Sequence, residues 1–336
     1  MGLFSREYIL TAISPILIHG PEEADKSKRV EMRGQSLKGM IRWATRAVLG
    51  PIYDQETVKR IDFLIHGDTS HAALWGLKVE VEKGDTGTFK VPMIIKGKRR
   101  EVKFNGYKPG SLFKIVIYSE HEEILDFVEP ILGAVIRSFG IGQRWRHGFG
   151  KFKRVGGKKI ATSDLKTIHQ NLIPAVEKGL KLLGQKGIKL KNHETKIFNN
   201  PTGQPSFPFV YITSPENGDF SRTIKVKEKD FRNTEDMIAT IKSMKAEARK
   251  FFRNYKKEHK EASRWREEWF FGSSSKNIRC PAIKRINRIP SRIIYRPVGG
   301  GKIKLVMLRV PSAGGGEIHF YSELLKHIAD KFGIRG

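Results

Sequence analysis

Hydrophobic and polar positions along the chain switch between a period of two and a period near 3.6. Tyr8, Leu10 and Ala12 alternate with Ile9, Thr11 and Ile13, a largely buried strand that ends at Ser14-Pro15. After a charge-rich loop from Pro21 to Glu31, Ser36 is a good N-cap. Leu37, Ile41, Ala44 and Val48 then recur at helical spacing until Gly50-Pro51 stops the run. Leu77, Val79 and Val81 alternate with Lys78, Glu80 and Glu82 as a half-buried strand, and Leu112 to Tyr118, entered through Pro109-Gly110, is another. Ile124, Val128, Leu132, Val135 and Phe139 mark a second helix, in which Pro130 predicts a kink or a start. Lys151 to Val155 is a short closing strand. Strand, helix, strand, strand, helix, strand is the ferredoxin-like order, an antiparallel sheet backed by two helices.

Gly156-Gly157-Lys158-Lys159 marks a boundary, giving a first domain over residues 1–155 and a second over 160–336. In the second, Leu165 to Leu183 reads as a helix interrupted at Pro174, and Phe207 to Thr213 as a strand. Asn233 caps the longest helix, with Met237, Ile241, Met244, Ala248, Phe251 and Tyr255 on one side. Strands are predicted over Arg292 to Val298 and Ile303 to Val310, then a helix over Glu317 to Phe332 with Gly333 as its C-cap. This order fits a degenerate ferredoxin-like domain with extra helices and no final strand. The predicted class is α+β, with tandem ferredoxin-like (RRM-like) domains.

Charge changes the picture from fold to partner. Lys and Arg number 63 against 35 Asp and Glu, a formal net charge of +28. Self-repulsion on that scale calls for a polyanion, and phosphate is the natural one. The longest apolar runs, such as Ile13 to Ile18, fall far short of the roughly 20 residues of a spanning helix. Arg6 and Glu7 stand where a signal peptide needs an apolar core. The sequence therefore predicts no membrane association and a cytoplasmic location. The single cysteine, Cys280, excludes an internal disulfide and a thiolate-rich zinc site, and no cofactor is expected.

Two segments carry the candidate chemistry. In residues 33–46, Lys38, Arg42 and Arg46 sit four apart on one helix face, with Arg33 ahead of them. A row of phosphates would relieve their mutual repulsion. The row stands clear of the apolar stripe, so replacing Lys38 and Arg42 with alanine is expected to leave the fold intact. A bare solvated face is the alternative. The second segment runs from Phe139 to Lys151, with Gly140, Gly142, Gly148 and Gly150 around Gln143, Arg144, Trp145, Arg146 and His147. The glycines permit close backbone approach, and cations flanking an indole suit a single strand, guanidinium on phosphate and ring on base. The alternative is a turn anchored by its tryptophan.

Neither segment is a nucleotide fingerprint. Trp145 stands where the third glycine of a dinucleotide motif belongs, and Met40 and Ile41 replace the Lys and Ser/Thr of a P-loop. His66, Asp68 and His71 form the one enzymatic candidate, a loop that could move a proton in RNA cleavage, but the spacing matches no strong ligand signature. Lys284 to Arg292 sets basic residues among apolar ones, suited to a phosphate track or a subunit border.

The pair of segments, 33–46 and 139–151, resembles the signature of the RAMP superfamily of CRISPR systems: an early basic helix, then a glycine-rich loop before the last strand of an RNA-recognition-like domain. Arg33-x-x-Ser-Leu-Lys-Gly-x-Ile-Arg-Trp43 is most similar to the first-subunit family of the type III-B, or Cmr, effector complex. Ser291-Arg-Ile-Ile-Tyr-Arg-Pro297 is similar to its C-terminal half. The sixth-subunit family is the rival. The resemblance covers residues 1–155. It implies tandem ferredoxin-like domains, assembly with other Cmr-complex subunits, and contact with guide CRISPR RNA and target single-stranded RNA. The expected role is a non-catalytic RNA-binding subunit. The alternative is a metal-independent endoribonuclease that processes CRISPR RNA, with His66, His71 or His147 as acid or base.

Overall fold

The computed structural model describes residues 2–21, 30–49, 53, 55–95, 98–137, 139–144, 146–160, 165–184, 221–226, 233–271, 278–280, 283–286, 293–299, 301–307 and 317–333. Its elements run β1 (Phe4–Ala12), β2 (Ile16–Pro21), α1 (Gly34–Leu49), α2 (Gln55–His66), β3 (Gly76–Lys83), β4 (Thr86–Ile95), β5 (Lys98–Tyr107), β6 (Leu112–Ser119), α3 (Glu122–Arg137) and β7 (Phe152–Gly157). There follow α4 (Leu165–Leu183), β8 (Ser221–Lys225), α5 (Thr234–Glu258), α6 (Glu267–Phe271), β9 (Ile278–Cys280), β10 (Ile283–Ile286), β11 (Ile293–Gly299), β12 (Lys302–Met307) and α7 (Glu317–Phe332).

The first sheet has the order β3-β6-β1-β7, antiparallel throughout. With α1 and α3 as crossovers this is the ferredoxin-like topology. Alternation on the strands explains the burial: Tyr8 and Leu10 of β1 and Phe113, Ile115 and Ile117 of β6 point to one face. There they meet Leu37, Ile41, Ala44 and Val48 of α1 and Ile124, Val128, Leu132 and Val135 of α3. The pattern reading did not anticipate α2 or the hairpin β4/β5, which pairs with β2 in a separate three-stranded sheet.

Pro130 does not begin α3; the helix runs on both sides of the ring. Proline leaves the carbonyl four residues back without its donor. That carbonyl, of Asp126, accepts from the side-chain amide of Asn171 on α4 at 2.7 Å. Pro174 likewise lies inside α4 and does not interrupt it. The sequence reading gives α4 to the second domain, yet Ile168, Leu172, Ala175 and Val176 are buried in the first core.

In the second half, β11-β12-β8 form an antiparallel sheet covered by α5 and α7. The order β8, α5, β11, β12, α7 is ferredoxin-like without its last strand. A single antiparallel bridge from Val226 to Gly333 stands where that strand would pair. Asn233 caps α5 as expected, its side chain accepting from the amide of Asp236, and the amide of Gly333 donates to the carbonyl of Ala329 at the end of α7. The predicted strand at Phe207 to Thr213 lies outside the described residues.

The second sheet is buried on both faces. Ile293, Tyr295, Ile303, Leu305 and Met307 point to the helices, while Ile294 and Val306 enter the first core. Arg296 points the same way as Ile294, is 4% exposed, and donates to the carbonyls of Ile136 and Phe152.

Candidate nucleic-acid interface

Helix α1 presents two polar flanks, and they face different neighbours. On one flank, Arg33, Ser36, Gly39 and Met40 line a cleft of about 230 Å³ with Ile16, Ile18 and Met32, and with Ile141, Gly142 and Gln143 of the glycine-rich loop. The two sequence segments meet here. No acidic residue occupies the first turn of α1, so the positive end of its dipole is not offset there. Arg33 is well exposed and reaches Glu31 at 3.5 Å.

On the other flank lies the row expected to hold phosphates. Arg42 grips Asp62 of α2 with Nε at 3.0 and 2.9 Å from the two carboxylate oxygens, and Arg46 donates to the same group. Asp62 is fully buried and the two arginines are about 30% exposed. Lys38 lies 5.1 Å from the ring centroid of Trp75 and donates to its carbonyl at 3.3 Å. Burial, then the charge of Arg42, lowers its pKa. The row is therefore no free ladder: a buried carboxylate already absorbs part of its repulsion. The expectation that Lys38 and Arg42 can be truncated without harm is corrected accordingly. Lys38 and Arg42 also border an open pocket of about 620 Å³ with Phe63, His66, Asp68 and His71.

The loop is shaped by its glycines. Gly150 has φ +66, and a Cβ there would lie 1.7 Å from the carbonyl oxygen of Ile141. Gly142 has φ +84, and a Cβ would lie 2.5 Å from that of Leu17. Gln143 donates its amide to Leu17 at 2.7 Å, tying the loop to β2. The site residues expected from the sequence divide here. Gly140 and Lys151 are buried, and the Lys151 amine donates to the carbonyl of Phe139, so Lys151 holds the loop closed and is not presented to a ligand. Burial, then Arg296 and Arg146, lowers its pKa well below the usual range. Arg144, with φ +55, stands 5.6 Å over Phe104, and Arg146 stands 5.3 Å over Trp43 of α1. Trp145 lies outside the described residues.

His147 faces the second half. Its Nδ1 accepts from Lys245 of α5, and the carbonyl of Arg146 accepts from the amide of Tyr295 at 3.2 Å. Burial, then Lys245, lowers the His147 pKa well below its ordinary value. Sequence reasoning missed this: the loop clasps β11 and α5 as well as opening on the cleft.

The histidines proposed for proton transfer are committed elsewhere. His66 ends α2 and is buried, not in a loop. Trp75 Nε1 donates to its Nδ1 at 3.0 Å, so Nε2 carries the proton and donates to Thr45 Oγ1 at 2.9 Å, which passes its own to the carbonyl of Ile41. Burial pushes its pKa down to about 3, with Asp62 opposing and Arg42, Lys38 and Arg46 adding. His71 bonds the carbonyl of Phe63 through Nε2, in a turn organised by Asp68, whose carboxylate accepts from the amides of Ser70 and His71.

With this geometry in place, comparison with known proteins is decisive for the first half. The RAMP superfamily model matches residues 9–153. Over this stretch the chain is similar to the RAMP superfamily. The chain is 28% identical over 149 residues to the CRISPR system Cmr subunit Cmr1-1 of Pyrococcus furiosus, covering 40% of this chain and 44% of that protein. The match thus spans less than half the length of that relative. Cmr1-2 of the same organism is 24% identical over 182 residues, covering 45% of this chain and 95% of that one. Beyond the RAMP segment, a chain of the type III-B Cmr-beta complex, solved by cryo-EM bound to cognate target RNA and AMPPnP, matches 97% of this chain and 100% of its own with a TM-score of 0.56 at 13% identity. That likeness establishes the α+β, tandem ferredoxin-like fold. No helix among the described residues is long and apolar enough to cross a membrane.

Proposed function

We propose that the chain is a non-catalytic RNA-binding subunit of a type III-B CRISPR effector ribonucleoprotein. In this reading it works in the cytoplasm in RNA-guided antiviral defence, beside other Cmr subunits, and contacts guide CRISPR RNA, target RNA or both. The observation that carries the reading is the cleft in which Arg33, Ser36 and the amide end of α1 meet Gly142 and Gln143. A phosphate there meets a guanidinium and a hydroxyl beside the positive end of the helix dipole. Arg144 and Arg146 on the same loop add cations beside the cleft, and the net charge of +28 supplies attraction along the strand. The relatives named as Cmr subunits support the assignment to such a complex.

The test is binding of labelled single-stranded RNA by the full chain across a salt series. Arg33→Ala lowers the slope of log affinity against log salt by about 0.7, one phosphate contact on a single strand. An unchanged slope removes the cleft from the interface. The same RNA is expected to remain uncut with divalent metal or EDTA present. Cutting that disappears on His66→Ala, His71→Ala or His147→Ala would replace this reading with the processing nuclease.

A further inference from the structure

The helical layer of the second half carries a cluster that RNA binding does not use. His259 ends α5, its ring stacked 3.8 Å from that of Tyr255. His319 and Glu323 sit one turn apart on α7, with Nε2 and Oε1 separated by 3.1 Å, and the His319 and His259 rings are 5.7 Å apart. One nitrogen of each histidine and one oxygen of Glu323 lie within 4.8 Å of one another. Glu261, in the 3-10 turn after α5, approaches His259 Nδ1 at 3.4 Å.

A second observation points into the same place. Tyr255 is 2% exposed, and its hydroxyl has no hydrogen-bond partner among the described residues. Its ring, stacked on His259, also lies 6.1 Å from that of His319. A buried hydroxyl without a partner keeps its desolvation cost uncompensated, which folded proteins avoid.

We propose that His259, His319 and Glu323 bind one divalent transition-metal ion of the zinc class, with Glu261 or a water in the fourth position. Two imidazoles and a carboxylate select zinc, nickel or copper over calcium or magnesium, which prefer all-oxygen shells. Zinc bonds of about 2.0–2.2 Å place tetrahedral ligand atoms roughly 3.5 Å apart. Partly exposed side chains therefore close the site with shifts of about 1 Å. The ion ties the end of α5 to the first turns of α7 across the top of the second sheet. A metal-held carboxylate or water is the acceptor that Tyr255 lacks.

The experiment titrates the tag-free full chain with Co2+, followed by Zn2+ competition and thermal melts. The expected result is one Co2+ per chain with the visible bands of a four-coordinate site, displaced by Zn2+, and a melting temperature raised by several degrees in Zn2+. His319→Ala and Glu323→Gln each weaken binding at least about ten-fold and abolish the thermal shift, whereas His121→Ala, remote from the cluster, retains both. Far-UV circular dichroism confirms that each variant is folded. Absence of saturable binding below about 100 µM, or binding that survives both cluster variants, overturns the site.

Discussion

Asp62 supports a quantitative prediction because its partners differ so sharply from it in exposure. The carboxylate is fully buried while Arg42 and Arg46 keep about 30% of their side-chain surface in water. Removing one member of a buried ion pair costs about 3–5 kcal/mol when a buried charge is left alone. Arg42→Ala leaves Asp62 with Arg46 only, so part of that cost remains and about 2–4 kcal/mol is expected. Asp62→Asn strands two cations that water can reach, and about 1–3 kcal/mol is expected. The two changes share one interaction, so the double variant costs less than their sum. A double-mutant cycle read by urea denaturation should give a coupling of about 2 kcal/mol, against about 0–1 for an exposed pair. Raising the salt concentration leaves the coupling nearly intact, because the carboxylate is out of reach of screening ions. A coupling below about 0.5 kcal/mol would refute the claim that this part of the basic row is structural. The same variants separate the two flanks of α1: Asp62→Asn should leave the salt slope of RNA binding unchanged in the folded protein.

Further expectations follow from single contacts. Asn171→Leu removes the donor to the Asp126 carbonyl and should cost about 1–2 kcal/mol, read by thermal melts; no loss would mean that water satisfies the carbonyl. Gly150→Ala forces a Cβ against Ile141 at a positive φ and should abolish loop closure, seen as lost RNA affinity and a lower melting temperature. Lys245 has its pKa lowered from 10.5 to about 7, by burial first and then by Arg144 and Arg249. The unfolded chain therefore binds more protons between those values, and stability rises as pH increases from 7 to 10.5. Lys245→Met should remove about 2–4 kcal/mol of that rise, and an unchanged pH profile would show the amine to be solvated.

Periodicity alone determined most of the scaffold. The alternation in β1, β3 and β6 and the helical spacing in α1, α3, α5 and α7 come from which side of an element is wet, and that is written in consecutive residues. The pairing of an early basic helix with a glycine-rich loop was legible for the same reason, since positive charge and positive φ each demand particular residue types. The sequence could not say where long side chains find partners. Arg42 and Arg46 lie on one helix and Asp62 on another, and only the packing of α2 against α1 joins them as ion pairs. Lys151 reads as a surface cation and is buried, because the loop folds its amine onto the Phe139 carbonyl. Pro130 reads as a break, and Asn171 repairs it from another helix. Each of these is a contact between residues far apart in the chain, with an energy that depends on burial, and burial is a property of the assembled core.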